Sequence, residues 1–128
     1  QMTAQELITA SISNIPIKVG ILNNSYLGMV RQWQEMFYGE RYSEVDLGGG
    51  VPDFVKWAEA MGCVGIRVDS PEEVAPAIER ANSINDRPVV VDFRVEEFEK
   101  VFPMVAAGAS NDDIILPPSQ NDRREYLR

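Results

Sequence analysis

One stretch constrains the fold of this chain more than any other: Ile17-Lys18-Val19-Gly20-Ile21-Leu22, then Asn23-Asn24, then a helical pattern that opens after Gly28. The first run is rich in β-branched residues and predicts a strand over 17–22. Met29, Val30, Trp33, Met36 and Phe37 recur at helical spacing and predict a helix over 28–39, closed by Gly39. A buried strand that ends in carboxamides and passes into a helix sets those carboxamides at the carboxyl end of a sheet. Open α/β sheets bind their ligands at that edge.

The rest of the chain supplies the sheet. Thr3 and Glu6 have the spacing of a capping box, and Leu7, Ile8 and Ile12 follow at helical intervals. They predict a short amphipathic helix over 3–14, ended by Asn14 and Pro16. Residues 40–51 are polar and end in Gly48-Gly49-Gly50, so a mobile loop is expected there. Pro52 suits the first turn of a helix that carries Val55, Ala58, Glu59 and Met61 and stops at Gly62. Val64–Val68 is the second strand. Ser70-Pro71-Glu72-Glu73 combines an N-cap, a first-turn proline and a capping-box glutamate, and the helix it opens should bury Val74, Ala75, Ile78 and Ala81. Pro88 to Val95 is the third strand, and its unbroken apolar centre predicts cover on both faces.

Beyond residue 96 the pattern weakens. Phe102–Ala109 is apolar but too irregular for an element, and 117–128 is a polar tail. The order helix–strand–helix–helix–strand–helix–strand predicts an α/β fold with a mostly parallel sheet sandwiched by helices.

Composition narrows the chemistry. A domain of 128 residues with 45% hydrophobic content buries roughly two thirds of its unfolded surface, so it needs no staple. A net charge of −8, with no basic cluster, disfavours nucleic acid and anionic membrane. Cys63 is the single cysteine and histidine is absent, which removes disulfide frameworks, Cys/His zinc sites and histidine-dependent triads. Cys63 follows Gly62 and precedes an apolar run, so a core thiol is expected, and a cytoplasmic location fits a lone reduced thiol. No stretch approaches the ~18 apolar residues of a membrane span. Gln1-Met2-Thr3 is not a translation start, and the chain is expected to be the C-terminal portion of something longer.

The candidate site residues each allow two readings. Asn23 and Asn24 offer neutral hard oxygens suited to Mg²⁺ or Ca²⁺, yet an Asn-Asn pair is most often simply a turn. Met29, Val30, Trp33 and Phe37 either pack in the core or line a pocket, and periodicity alone does not choose.

The run NNSYLGMVRQWQEMFYGERYS, residues 23–43, resembles the C-terminal thiamine-diphosphate domain of the acetohydroxyacid (acetolactate) synthase family. QMTAQELITA, PDFVKWAEAMGCVGIRV, RPVVVDFRV and FPMVAAGASNDD match in order, so the resemblance covers residues 1–116. It implies thiamine diphosphate anchored by Mg²⁺. Asn24 matches the asparagine whose side-chain oxygen binds the metal, and Tyr26 the residue whose backbone carbonyl does the same. Leu27, Gly28 and Met29 fall beside the cofactor. Met29, Val30 and Trp33 match the substrate pocket, Trp33 being the residue that favours 2-ketobutyrate. The Phe102–Ala109 segment would close over the site.

The family's Gly-Asp-Gly, which carries the charged metal ligand, falls ahead of Gln1, and the 128 residues contain no such triplet. The catalytic glutamate and the FAD site belong to other domains. The resemblance therefore places no catalytic residue in this segment and implies that the segment alone is inactive. It implies pyruvate and 2-ketobutyrate as substrates, a second catalytic subunit completing the site of a homodimer, and a regulatory small subunit. The parent reaction joins a decarboxylated pyruvate to either acceptor, the entry to branched-chain amino acids. The alternatives are another thiamine-diphosphate 2-oxo acid oxidase or decarboxylase, and a non-catalytic α/β binding module.

Overall fold

A computed structural model describes residues 2–117 of the chain. Its centre is a parallel sheet of three strands in the order β1-β3-β2, with β1 at Lys18–Asn23, β2 at Val64–Val68 and β3 at Val89–Arg94. Lys18 stands opposite Val89 on one side of β3, and Val64 stands opposite Val89 on the other. Among the described residues four α-helices complete the order: α1 (Glu6–Ile12) before β1, α2 (Gly28–Phe37) and α3 (Phe54–Ala60) before β2, and α4 (Val74–Ser83) before β3. The expected α/β architecture is present.

Alternation along β3 explains its unbroken apolar run. Val89 and Val91 point to one face and pack with Ile66 and Val68 of β2 and Ala77 and Ala81 of α4. Val90 points to the other face and meets Leu7 of α1, Ala58 of α3 and Cys63. Both faces are covered, as a parallel sheet requires. Cys63 is a core thiol, and burial pushes its pKa up, away from reactivity. Gly65 lets α3 sit directly on β2, because a Cβ there would lie 2.8 Å from the Val55 carbonyl oxygen and 2.9 Å from Val55 Cα.

Helix ends follow the local sequence, with corrections. The α3 stop at Gly62 is a left-handed turn, φ +75°, in which the Gly62 amide bonds Glu59 and the Cys63 amide bonds Ala58. Its start is not made by Pro52: Asp53 is the N-cap, accepting from the Val55 and Lys56 amides. The helix expected over 3–14 is shorter. Its N-terminus carries no side-chain cap, and residues before Glu6 form turns, so the Thr3–Glu6 capping box does not start it. At α4 the expected start holds, since the Glu73 carboxylate accepts the Asp69 and Ser70 amides at 2.7 and 3.2 Å across a short 3₁₀ turn, Pro71–Glu73.

The buried stripe of α4 is Ala77 and Ala81, whereas Val74 and Ile78 are exposed and Ala75 is exposed with them. Two small residues let the helix approach the valines of β3 closely, and the larger side chains turn outward.

The 40–51 connection is tethered rather than free. Val45 is buried, Leu27 donates to its carbonyl, and Leu47 donates to Ser25, so Tyr26 and Asp46 form an antiparallel bridge. The polar tail expected over 117–128 lies, except for Pro117, outside the described residues. Among the described residues no helix is long and apolar enough to cross a membrane.

Candidate functional site

The site grows from the carboxyl end of β1. Asn23 is its last residue, opposite Arg94, and the Val95 amide still bonds the Asn23 carbonyl. There the chain turns. Asn23 Oδ1 accepts the Ser25 amide and Asn24 Oδ1 accepts the Tyr26 amide, each at 3.2 Å, so two carboxamide turns follow one another. Ser25 takes a left-handed conformation, φ +61°, and is buried with Asn23. The bridge from Tyr26 to Asp46 holds the far side of the turn.

α2 begins at Gly28, and that glycine leaves room for the Asn24 carboxamide. A Cβ at position 28 would lie 2.9 Å from Asn24 Nδ2, so any other residue would displace the Asn24 carboxamide. Leu27 precedes the helix without a side-chain cap, and no acidic residue occupies the first turn. The first amides of α2 therefore remain available to an anionic partner beside Asn24.

The donor set at this edge is neutral oxygen: Asn24 Oδ1 with a second lone pair, and the Tyr26 carbonyl, to which no backbone amide donates among the described residues. No group of three His, Cys, Asp or Glu side chains is placed to hold a metal among those residues. Such oxygens fit Mg²⁺ when phosphate oxygens and a further carboxylate complete an octahedron, and they fit no thiolate- or imidazole-seeking metal.

The apolar stripe of α2 is not core. Met29, Val30 and Phe37 are each more than 40% exposed, and Met29, Val30 and Trp33 line an open groove of about 590 Å³ with Gln34, Tyr38 and Arg41. Trp33 stacks at an angle on Phe37, with ring centroids 5.1 Å apart. The structure thus brings Asn24, Tyr26, Leu27, Gly28, Met29, Val30 and Trp33 onto one end of β1 and the helix that follows it.

What holds α2 is polar. Gln32 is its one buried residue, donating to the Val101 carbonyl at 3.0 Å and accepting the Val101 amide at 2.8 Å. Glu35 pairs with Arg31 and with Lys100. The Arg31 guanidinium lies 4.4 Å from the Phe98 ring and 5.2 Å from the Tyr42 ring. On the opposite flank Gln34 exchanges two hydrogen bonds with the Ser43 backbone. The segment after residue 96, formless in sequence, is thereby fastened along α2, and Met104 forms a bridge with Ile115.

Sequence reasoning passed over Gln32, Arg31 and Asp92. Only Asp92 left a signal, as the one charge inside the apolar run of β3. It is 1% exposed and accepts from Asn23 Nδ2 at 2.9 Å.

Comparison with known proteins gives the family. Residues 1–93 match the family described as thiamine pyrophosphate enzyme, C-terminal TPP binding domain. The chain is 58% identical over 117 residues to an acetolactate synthase of Mycobacterium leprae, covering 89% of this chain and 19% of that protein. It is 41% identical over 122 residues to the acetolactate synthase large subunit of Haemophilus influenzae, covering 95% and 21%. The chain thus spans about a fifth of the length of these curated relatives. Among solved structures, the thiamine diphosphate-dependent 4-hydroxybenzoylformate decarboxylase of Rhodococcus jostii RHA1 superposes with a TM-score of 0.64 at 28% identity, over 73% of this chain and 17% of that one.

Proposed function

The chain belongs to the C-terminal TPP-binding domains of the thiamine pyrophosphate enzymes, and from that premise we propose that it is the diphosphate-binding part of an acetolactate synthase large subunit. One observation carries the reading: Asn24, at the turn after β1 and packed where Gly28 leaves room for its carboxamide, stands beside the uncapped start of α2 and the groove of Met29, Val30 and Trp33. In this reading Asn24 Oδ1 and the Tyr26 carbonyl ligate Mg²⁺, which carries the diphosphate, and Leu27, Gly28 and Met29 flank the cofactor.

When bound, thiamine diphosphate supplies the carbanion chemistry, and the protein supplies binding and orientation. This chain's share is limited to those two tasks. The α2 amides would meet the anion directly, and Asn24 Oδ1 and the Tyr26 carbonyl would hold the metal ion that offsets its charge on a chain whose acidic surface would otherwise repel it. Met29 and Val30 present apolar surface to the reacting end, and Trp33 with Phe37 walls the space for the acceptor keto acid. The segment after residue 96 braces α2 through Gln32 rather than lining the groove. No residue of the chain is assigned as the acid or base of the reaction.

The whole protein's substrates are then pyruvate and 2-ketobutyrate. A second catalytic subunit completes the site, FAD occupies a domain outside these residues, a regulatory small subunit is a further partner, and the enzyme is cytoplasmic. The 128 residues alone turn over no substrate, since they hold neither the charged metal ligand nor the glutamate. The test is an assay of the full-length protein containing this chain. Acetolactate should form from pyruvate only with thiamine diphosphate and Mg²⁺, and Trp33→Leu should lower the preference for 2-ketobutyrate. Simple release of an aldehyde from the 2-oxo acid, without condensation, would move the assignment to a decarboxylase.

A further inference from the structure

Asp92 is the one buried acid among the described residues, and packing does not account for it. It follows Val89-Val90-Val91 in β3 and shares the face of Val90, where an aliphatic residue would continue the core. Its Oδ2 has no hydrogen-bond partner, and Arg67 Nε lies 3.8 Å away while the same guanidinium bonds Asp53 at 2.9 Å. A buried carboxylate so sparsely partnered costs stability that a leucine would not.

Its effect lies in the hydrogen bond to Asn23. A carboxamide has a donating end and an accepting end, whereas a carboxylate oxygen accepts. With Asp92 Oδ1 taking Nδ2 at 2.9 Å, Asn23 Oδ1 must face the Ser25 amide, which it accepts at 3.2 Å. If the carboxamide turned over, its NH₂ would meet the Ser25 N–H, donor against donor. The left-handed Ser25 would lose its support, and the position of Asn24 would be lost with it.

We propose that Asp92 is a positioning residue for the metal–diphosphate site: through Asn23 it locks the Asn23–Ser25 turn in the conformation that sets Asn24 Oδ1 and the Tyr26 carbonyl. The inference rests on the reading of Asn24 as a metal ligand. It makes the site depend on a side chain from β3, a strand of the sheet that contributes no ligand itself. Outer-shell partners of this kind orient ligands that they never replace.

The test titrates Mg²⁺ into the full-length protein with thiamine diphosphate, reading cofactor binding by calorimetry and the fold by circular dichroism and thermal midpoint. Asp92→Leu should weaken the apparent Mg²⁺ affinity by roughly 10- to 100-fold. Its thermal midpoint should hold, because a buried charge is exchanged for apolar contact. Asp92→Asn, which keeps an acceptor for Asn23 Nδ2, should restore most of the affinity. If Asp92→Leu does not fold, Asn23→Ala removes the intermediary and must weaken Mg²⁺ dependence in the same way. Parent-like binding by Asp92→Leu, or by Asn23→Ala where that variant stands in, overturns the proposal. So does a loss shared equally by Asp92→Leu and Asp92→Asn and tracking a fallen midpoint. Asn24→Ala separates the two levels: parent-like binding there defeats the metal-ligand reading itself, whereas weak binding there with normal Asp92→Leu defeats only the role of Asp92.

Discussion

Around β3, Val89, Val90 and Val91 are sealed between α4 on one face and α1 with α3 on the other, whereas α2 buries Gln32 and leaves Met29, Val30 and Phe37 more than 40% exposed. The sheet is held by area removed from water, which is non-directional. The region of α2 is held by directional bonds: Gln32 to Val101, Gln34 to Ser43, Glu35 to Arg31 and Lys100. The contrast separates tasks. Apolar packing sets stability, and the polar fastenings set geometry at a surface that stays open.

Substitutions can break or sharpen that contrast. Gly65→Val should cost most, about 3 kcal/mol in urea unfolding, because its side chain would be driven into the α3 backbone at Val55. Val90→Ala should cost about 2 kcal/mol, from two lost methyl groups and the cavity they leave. Gly28→Ala should reverse the pattern. It should leave unfolding almost unchanged but displace Asn24 and weaken Mg²⁺-dependent thiamine diphosphate binding by roughly 10-fold, measured by calorimetric titration. Gln32→Ala should act more locally still: hydrogen exchange at the Val101 amide should quicken by about 10-fold, as loss of one buried bond predicts, without a change in global unfolding. A global collapse of Gln32→Ala would remove the distinction between the two regions.

The smallest effect is electrostatic. The Lys56 amide first, and then the Arg67 guanidinium, hold the Asp53 carboxyl below its ordinary value. A depressed pKa gives stability that is present above the unfolded value and lost as pH falls through the folded one. Acid titration below about pH 4 should therefore destabilise the parent slightly more than Asp53→Asn, read as the difference in thermal midpoint.

The same division governs what the sequence reveals. β2 was legible to the residue and β3 nearly so, because valine runs report burial through simple periodicity. The α4 stripe was legible only at Ala81: Ala77 was missed and Val74 and Ile78 were taken in its place, since alanine carries a weak hydrophobic signal, yet it is the small size of Ala77 and Ala81 that fits the helix to the sheet. The Asn23-Asn24 turn was legible in the sequence, whereas the roles proposed for Asn24 and the groove residues rest on a family resemblance, because two carboxamides before a glycine are most often only a turn. Gln32 was invisible, because its partner Val101 is distant in sequence; of the contacts of Arg31 only the i,i+4 pair with Glu35 is local, and the Phe98 ring is not. Loop 40–51 looked free for the same reason, its anchors being the buried Val45 and the bridge of Asp46 to Tyr26.

The most direct test of the site is calorimetric titration of thiamine diphosphate into the full-length protein, in Mg²⁺ and then in chelator, for the parent and for Asn24→Ala. The account predicts binding that requires Mg²⁺ and that Asn24→Ala weakens by at least about 10-fold, the lower end of what loss of even an outer-shell partner costs. Equal affinity for parent and variant, or binding indifferent to Mg²⁺, would contradict it.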